Sequence, residues 1–130
     1  MILSANSAYE LAGLGPEDMD IYQISGSYPA LKFIVMDSLG FVEPDRSGAL
    51  VESGETSPGG KYPCFTNGEA LSFGHTGTGT GIALFVESVR KLQGKAGRAQ
   101  VDSARFLIEN CGGGAFMDCH FTVNGNEIPG

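Results

Sequence analysis

Apolar positions recur at intervals of three and four near the start of the chain. Ala8, Leu11, Ala12 and Leu14 predict a helix over 5–14, which Gly13 and Pro16 in "GLGPEDMD" bring to a stop. Alternation follows in "DIYQISG" (20–26), where Tyr22 and Ile24 sit between polar neighbours and predict a short strand. Pro29 suits a first helical turn and opens "PALKFIVMDSLGF", with Leu31, Ile34, Val35 and Leu39 as its expected buried stripe. The polar, turn-rich stretch 43–63 predicts a loop excursion, and a short extended piece follows around Cys64 and Phe65. Helical spacing then returns, with Ile82, Phe85, Val86, Val89 and Leu92 expected inside. "SARFLIENCGGGAFMDCHFTV" predicts two strands joined through glycines. In the second, Met117, Cys119, Phe121 and Val123 share one face, and Phe116, Asp118, His120 and Thr122 the other. The stretch 124–130 is a tail.

The order helix, strand, helix, strand, helix, strand, strand predicts an α/β fold with a sheet packed by helices. A length of 130 residues suits a single domain over 1–130. Opening on a helix is unusual for such a unit and suggests that a strand is missing in front. A hydrophobic content of 42% and a charged content of 18% fit an ordered globular chain. The net charge of −7 argues against nucleic acid as a partner. The basic residues Arg90, Lys91, Lys95 and Arg98 gather where cations complement a helix C-terminus. No apolar stretch is long enough for a membrane span, and no leader pattern stands at the front. Three cysteines without close pairing indicate neither a disulfide framework nor a zinc knuckle, so a cytoplasmic setting is expected.

The 20 glycines concentrate at 59–60, 74–81 and 112–114. The densest run, "GHTGTGTG" (74–81), lacks the Lys-Ser/Thr pair of a phosphate loop and does not fit the dinucleotide-binding glycine pattern. It is instead an imidazole at the head of a helix N-terminus rich in backbone N–H groups. That combination suits negative charge developing on an oxygen, although a capping or packing histidine would read the same way.

The wider sequence is more specific. From Ala8 to Val123 the chain resembles the C-terminal half of thiolases, particularly the sterol-carrier-protein-type and archaeal-like branches. The likeness runs through "AYELAGLGPEDMDIYQI", "LGFVE", "GALVESGET", "GGKYPCFTNGEALSFGHTGTGTG" and "VESVRKLQGKAGRAQVDSARFLIENCGGGAF". It implies a catalytic histidine at His75, within a substrate loop that includes Gly74, Thr76 and Gly77. Thr76 stands where the family usually has proline, and Thr78 where it usually has glycine. The family's acid/base cysteine in Cys-x-Gly-Gly falls on Cys111, ahead of Gly112, Gly113 and Gly114; aligning all three glycines would place Asn110 there instead. Cys64 and Cys119 read as packing residues.

Where the family fixes an oxyanion-hole water with Asn-Glu-Ala-Phe or His-Asp-Cys-Phe, this chain has Ser25-Gly26-Ser27-Tyr28. Ser25 is the candidate for that task, without an amide or an imidazole. The resemblance further implies a mixed, five-stranded type of sheet lacking its first, central strand, with two strand edges left open. It implies acyl-CoA C-acyltransferase chemistry, thiolytic or condensing, on a coenzyme A thioester, with no metal and no covalently bound cofactor. The nucleophilic cysteine lies in the N-terminal half, so a protein chain carrying that half is the expected partner, in a higher oligomer. The alternatives are an aldolase acting on a β-hydroxyacyl-CoA, with Tyr28 or Tyr62 as candidates, and a non-catalytic scaffold or isolated domain.

Overall fold

A computed structural model describes residues 1–77, 79–113 and 118–129. The first helix, α1 (Ile2–Ala12), closes on Gly13, whose left-handed backbone lets the N–H groups of Gly13 and Leu14 reach back to the carbonyls of Glu10 and Tyr9. Strand β1 (Ile21–Ile24) leads to α2 (Pro29–Ser38), with Pro29 in its first turn. The excursion 43–63 contains a short helix, α3 (Ser47–Glu52), among turns. Next come α4 (Glu69–Phe73) and the long α5 (Gly79–Leu92). A hairpin of β2 (Phe106–Gly113) and β3 (Asp118–Gly125) completes the order, with β3 running into the stretch read as a tail.

The sheet has the order β1-β2-β3. β1 runs parallel to β2, from Ile21 opposite Leu107 to Ile24 opposite Asn110. β2 runs antiparallel to β3, from Phe106 opposite Gly125 to Gly113 opposite Asp118. On the far edge of β1, Tyr22 makes an isolated parallel bridge to Cys64, which is all that forms of the extended piece expected at 64–65. The two edges expected to stand open beside a missing strand are therefore joined to each other. Direct parallel pairing satisfies their backbone N–H and C=O groups, which would otherwise be costly to bury. Asp20 fixes the start of this pairing, its carboxylate accepting from the N–H groups of Arg105 and Phe106 at 2.8 and 3.0 Å.

The two faces of the sheet differ in chemistry. One carries Tyr22, Ile24, Phe106 and Ile108, packed against Ala5 and Tyr9 of α1, Val35 and Met36 of α2, and Leu39 just past its end. Tyr22 stacks on Phe41 with centroids 3.9 Å apart, and its hydroxyl donates to the Pro16 carbonyl at 2.7 Å. The stripe expected on α1 is corrected: Leu11 is 89% exposed, and Ala5 and Tyr9 are the buried positions. On α2, Ile34 is exposed and Met36 is buried. On β3, Cys119, Phe121 and Val123 lie on the sheltered side and Asp118, His120 and Thr122 on the exposed side, as alternation predicts. Phe116, Met117 and the glycine turn between the strands lie outside the described residues.

Helix α5 covers the other face in an unexpected orientation. Thr80, Leu84, Ser88 and Lys91 are its buried positions, whereas Ile82 is 68% exposed, with Phe85 and Val86 also outward. The physical reason lies beneath it: beyond a small apolar patch of Ile21, Ala104 and Leu107, the sheet offers Gln23 and Glu109, and polar side chains of the helix meet polar side chains of the strands. Burying each outward side chain would be worth about 1.5–3 kcal/mol, so the helix as it stands leaves a sizeable stabilisation unused.

Candidate functional site

The parallel register sets the site at one end of the sheet. Pairing Ile24 with Asn110 brings the next residues, Ser25 and Cys111, to the same level at the C-terminal ends of β1 and β2. Ligands of open α/β sheets favour this end. The first turn of α5 arrives there too, since Gly81 lies against the Cys111 sulfur. A methyl group at Gly81 would collide with that sulfur. Gly81→Ala is accordingly expected to cost about 1–3 kcal/mol of stability, read by denaturant unfolding. A second change, Cys111→Ala, should restore most of the loss by removing the obstructing atom.

His75 stands on the connection between α4 and α5. Gly74 ends α4 with φ 94° and ψ 152°, a conformation suited to glycine, and turns the chain outward so that His75 is exposed. The Gly77 N–H donates weakly to His75 Nδ1 at 3.4 Å, which leaves Nε2 as the proton-bearing nitrogen of the neutral ring. The Thr76 N–H donates to the Thr80 hydroxyl at 3.1 Å and ties this loop to the helix. Thr78 lies outside the described residues. Ser25 is buried at 8% exposure. Among the described residues, no hydrogen bond links His75 to Cys111 or Ser25.

Cys111 is half-buried. Burial pushes its thiol upward from the usual value, and negative charge at Glu109, Cys119 and Asp118 adds to the shift. A thiol held in its protonated form suits proton donation better than nucleophilic attack. Cys64 is buried and its thiol is pushed higher still by desolvation, consistent with packing. Gly112 and Gly113 continue β2, and Gly114 lies outside the described residues. Of the two tyrosines, Tyr28 is exposed at the N-cap of α2, and Tyr62 is engaged with Tyr22 and Phe41. Among the described residues no group of three or more His, Cys, Asp and Glu is arranged to hold a metal ion. No helix among them is long and apolar enough to cross a membrane.

Beneath α5 lies a polar cluster that the hydrophobic pattern conceals. Lys91 was expected among the exposed cations of a helix terminus, yet it is 1% exposed and its ammonium donates to Gln23 Oε1. Gln23 Nε2 in turn reaches Glu69 Oε1 at 3.3 Å and Asn67 Oδ1 at 3.4 Å. Glu69 is fully buried, has a left-handed backbone with φ 52°, and its Oε2 has no hydrogen-bond partner among the described residues. Glu109 is buried beside Ser88, whose hydroxyl opposes its shift without making a well-formed hydrogen bond.

Desolvation raises Glu69 from an ordinary 4.5 to about 8, against the pull of Lys32 and Lys91. It likewise raises Glu109 from 4.5 to about 7 and lowers Lys91 from 10.5 to about 8. The two carboxyls bind protons more tightly folded than unfolded. Their contribution is thus complete below about pH 4.5 and lost as pH climbs through 7 and 8. Lys91 acts in the opposite sense, its contribution being present above about pH 10.5 and lost as pH falls toward 8. The denaturant midpoint should therefore fall between pH 5 and pH 8, and Glu69→Gln should flatten that slope.

Comparison with known proteins places this geometry. The family model described as thiolase C-terminal domain-like matches residues 1–126. The chain belongs to this family. Among relatives of the thiolase C-terminal domain, sterol carrier protein 2 of Rattus norvegicus is 34% identical over 107 residues, covering 82% of this chain and 20% of that protein. The acetyl-CoA acetyltransferase of Methanothermobacter thermautotrophicus is 33% identical over 111 residues, covering 85% of this chain and 29% of that enzyme. The domain thus spans a fifth to under a third of the length of these relatives. A solved structure, the Ltp2-ChsH2(DUF35) aldolase, shares the fold with a TM-score of 0.81 at 21% identity, over 97% of this chain and 32% of that one.

Proposed function

We propose that this thiolase C-terminal domain contributes His75 and Cys111 to carbon–carbon bond exchange on acyl-CoA thioesters, completed by a chain that carries the N-terminal thiolase half. The observation that carries the proposal is the orientation of α5. Its first turn meets Cys111 and lies next to the His75 loop, while Ile82, Phe85 and Val86 form an outward apolar face beside exposed Leu71 and Phe73 of α4. Such a face fits a partner at the open side of the site. The likeness to an acetyl-CoA acetyltransferase supports the substrate class.

In this mechanism a cysteine thiolate of the partner attacks the carbonyl beta to the thioester. His75 helps generate that thiolate and donates a hydrogen bond to the developing oxyanion. The carbon–carbon bond breaks, an acyl group stays on the partner's sulfur, and the departing acyl-CoA carbanion takes the Cys111 proton; a coenzyme A thiol then gives up its proton, attacks the acyl thioester and frees the partner's sulfur as thiolate. Condensation runs these steps backward, with Cys111 as thiolate removing the α-proton. Ser25, level with Cys111, is positioned to hold a water beside the thioester oxygen. Coenzyme A enters as the substrate's carrier, and assembly into a higher oligomer belongs to the same proposal.

The test is co-purification with an N-terminal-half chain, sizing with mass measurement, and an acyl-CoA assay with thiol detection. Condensation of two acyl-CoA molecules releases one free thiol per turnover, and thiolysis consumes one. A stable complex without thiol turnover in either direction would sink the acyltransferase assignment. An aldolase reading is favoured by one feature, the exposed Tyr28 three residues beyond Ser25. It requires cleavage of a β-hydroxyacyl-CoA that survives loss of the partner's cysteine and fails in Tyr28→Phe.

A further inference from the structure

The hairpin places a second histidine where sequence spacing does not reveal it. In the antiparallel register, His120 lies directly opposite Cys111. Directly opposed residues share one face of a sheet, with Cβ atoms about 4.5–5.5 Å apart. Asp118, two residues before His120 on that same face, holds the ring through Nε2 at 2.9 Å from its Oδ1. Cys111, His120 and Asp118 thus line one surface in the order thiol, imidazole, carboxylate. The pair on β3 is open to water, with side chains 71% and 61% exposed, whereas Cys111 is half-buried against α5.

We infer that His120, oriented by Asp118, is the proton relay between Cys111 and solvent. The inference rests on the reading of Cys111 as the acid/base group given above. An acid that gives up a proton in every cycle must regain one, and α5 restricts direct access of water to this sulfur. After Cys111 protonates the carbanion, its S–H bond has become a C–H bond and the sulfur is a thiolate. The imidazolium of His120 then returns a proton from Nδ1, breaking N–H and restoring S–H, and the neutral ring is reprotonated by solvent, which takes up the proton that a coenzyme A thiol loses as it receives the acyl group. In condensation the same proton travels outward.

Asp118 on Nε2 leaves Nδ1 for this exchange and stabilises the imidazolium that forms. The groups facing Cys111 are Glu109 on its own strand, Asp118 and His120 on β3, and uncharged Gly81 on α5, with Cys119 on the opposite face of β3. Glu109, Cys119 and Asp118 all oppose thiolate formation, and His120 is the group directly opposite the sulfur that can bring it a proton. His120 and Asp118 act through Cys111 as positioning residues rather than on the substrate.

The test needs no partner. The full chain is alkylated with iodoacetamide between pH 5 and 9, and modification at Cys111, Cys64 and Cys119 is scored separately by peptide mass. His120→Ala should slow alkylation at Cys111 about threefold relative to the wild type. Asp118→Asn should slow it by a smaller factor, and Cys119, on the opposite face, should keep its profile. His120→Gln, unfolding at the wild-type temperature, controls for packing. Superimposable Cys111 profiles in wild type and His120→Ala would overturn the relay, whatever the complex does. In the assembled complex, deuterium exchange at the acyl α-carbon should slow in His120→Ala. If the complex shows no turnover at all, the acyltransferase reading fails, while the alkylation profile still decides the relay.

Discussion

Replacing His75 with alanine should lower acyl-CoA turnover of the assembled enzyme by about 10³-fold, with the complex intact on a sizing column. The expectation follows from where the side chain stands. His75 is exposed on a loop tied down by the bond from Thr76 to Thr80, and its hydrogen bonds are confined to that loop, so its loss should leave the fold unharmed. A group general enough to help form a thiolate and to donate to an oxyanion contributes in both half-reactions. The expected signature is therefore a fall in kcat and in kcat/KM together, as for an interaction made in the transition state. Unchanged turnover would instead assign the domain a scaffolding role and remove His75 from the chemistry.

Introducing a charge at Ile82 should have the second largest effect, and on a different quantity. Ile82→Glu is expected to reduce affinity for the N-terminal-half chain by about 30-fold or more, on the order of 2 kcal/mol, measured by titration of the separate chains. The unfolding free energy of this chain alone should stay within about 0.5 kcal/mol, because the side chain is already 68% exposed. That pairing of outcomes is what an interface predicts. A large loss of intrinsic stability would mean that the outward face of α5 packs within the domain, and the docking reading would fail. Thr80, Ser88 and Lys91 supply the contrast: they face the sheet, so changing them should disturb folding before assembly.

Local signals proved sufficient for the longer elements, though not for the short helices α3 and α4. Gly13 ended α1, Pro29 opened α2, and alternation along 118–123 separated the two faces of β3, because capping, proline geometry and the pleat act on neighbouring residues. The family likeness likewise reached His75, Cys111 and Ser25, since each is carried by a contiguous motif. Burial was legible only in part. Ile82, Phe85 and Val86 carry a correct helical period, but a period marks an apolar stripe without saying whose surface covers it. Lys91, Glu69 and Gln23 were hidden for the complementary reason. Buried charge is so costly that sequence patterns place such residues outside, unless partners from other elements are known.

By itself, then, the sequence determined the longer helices, the strands and the family, and it nominated His75 and Cys111 for chemistry, all of which depend on short stretches of chain. Only the tertiary structure decided that β1 and β2 pair directly, that α5 turns its polar stripe inward, and that His120 stands across from Cys111. Each of those facts depends on register and packing between segments far apart in the chain. Spacing along one segment carries no information about the alignment of another.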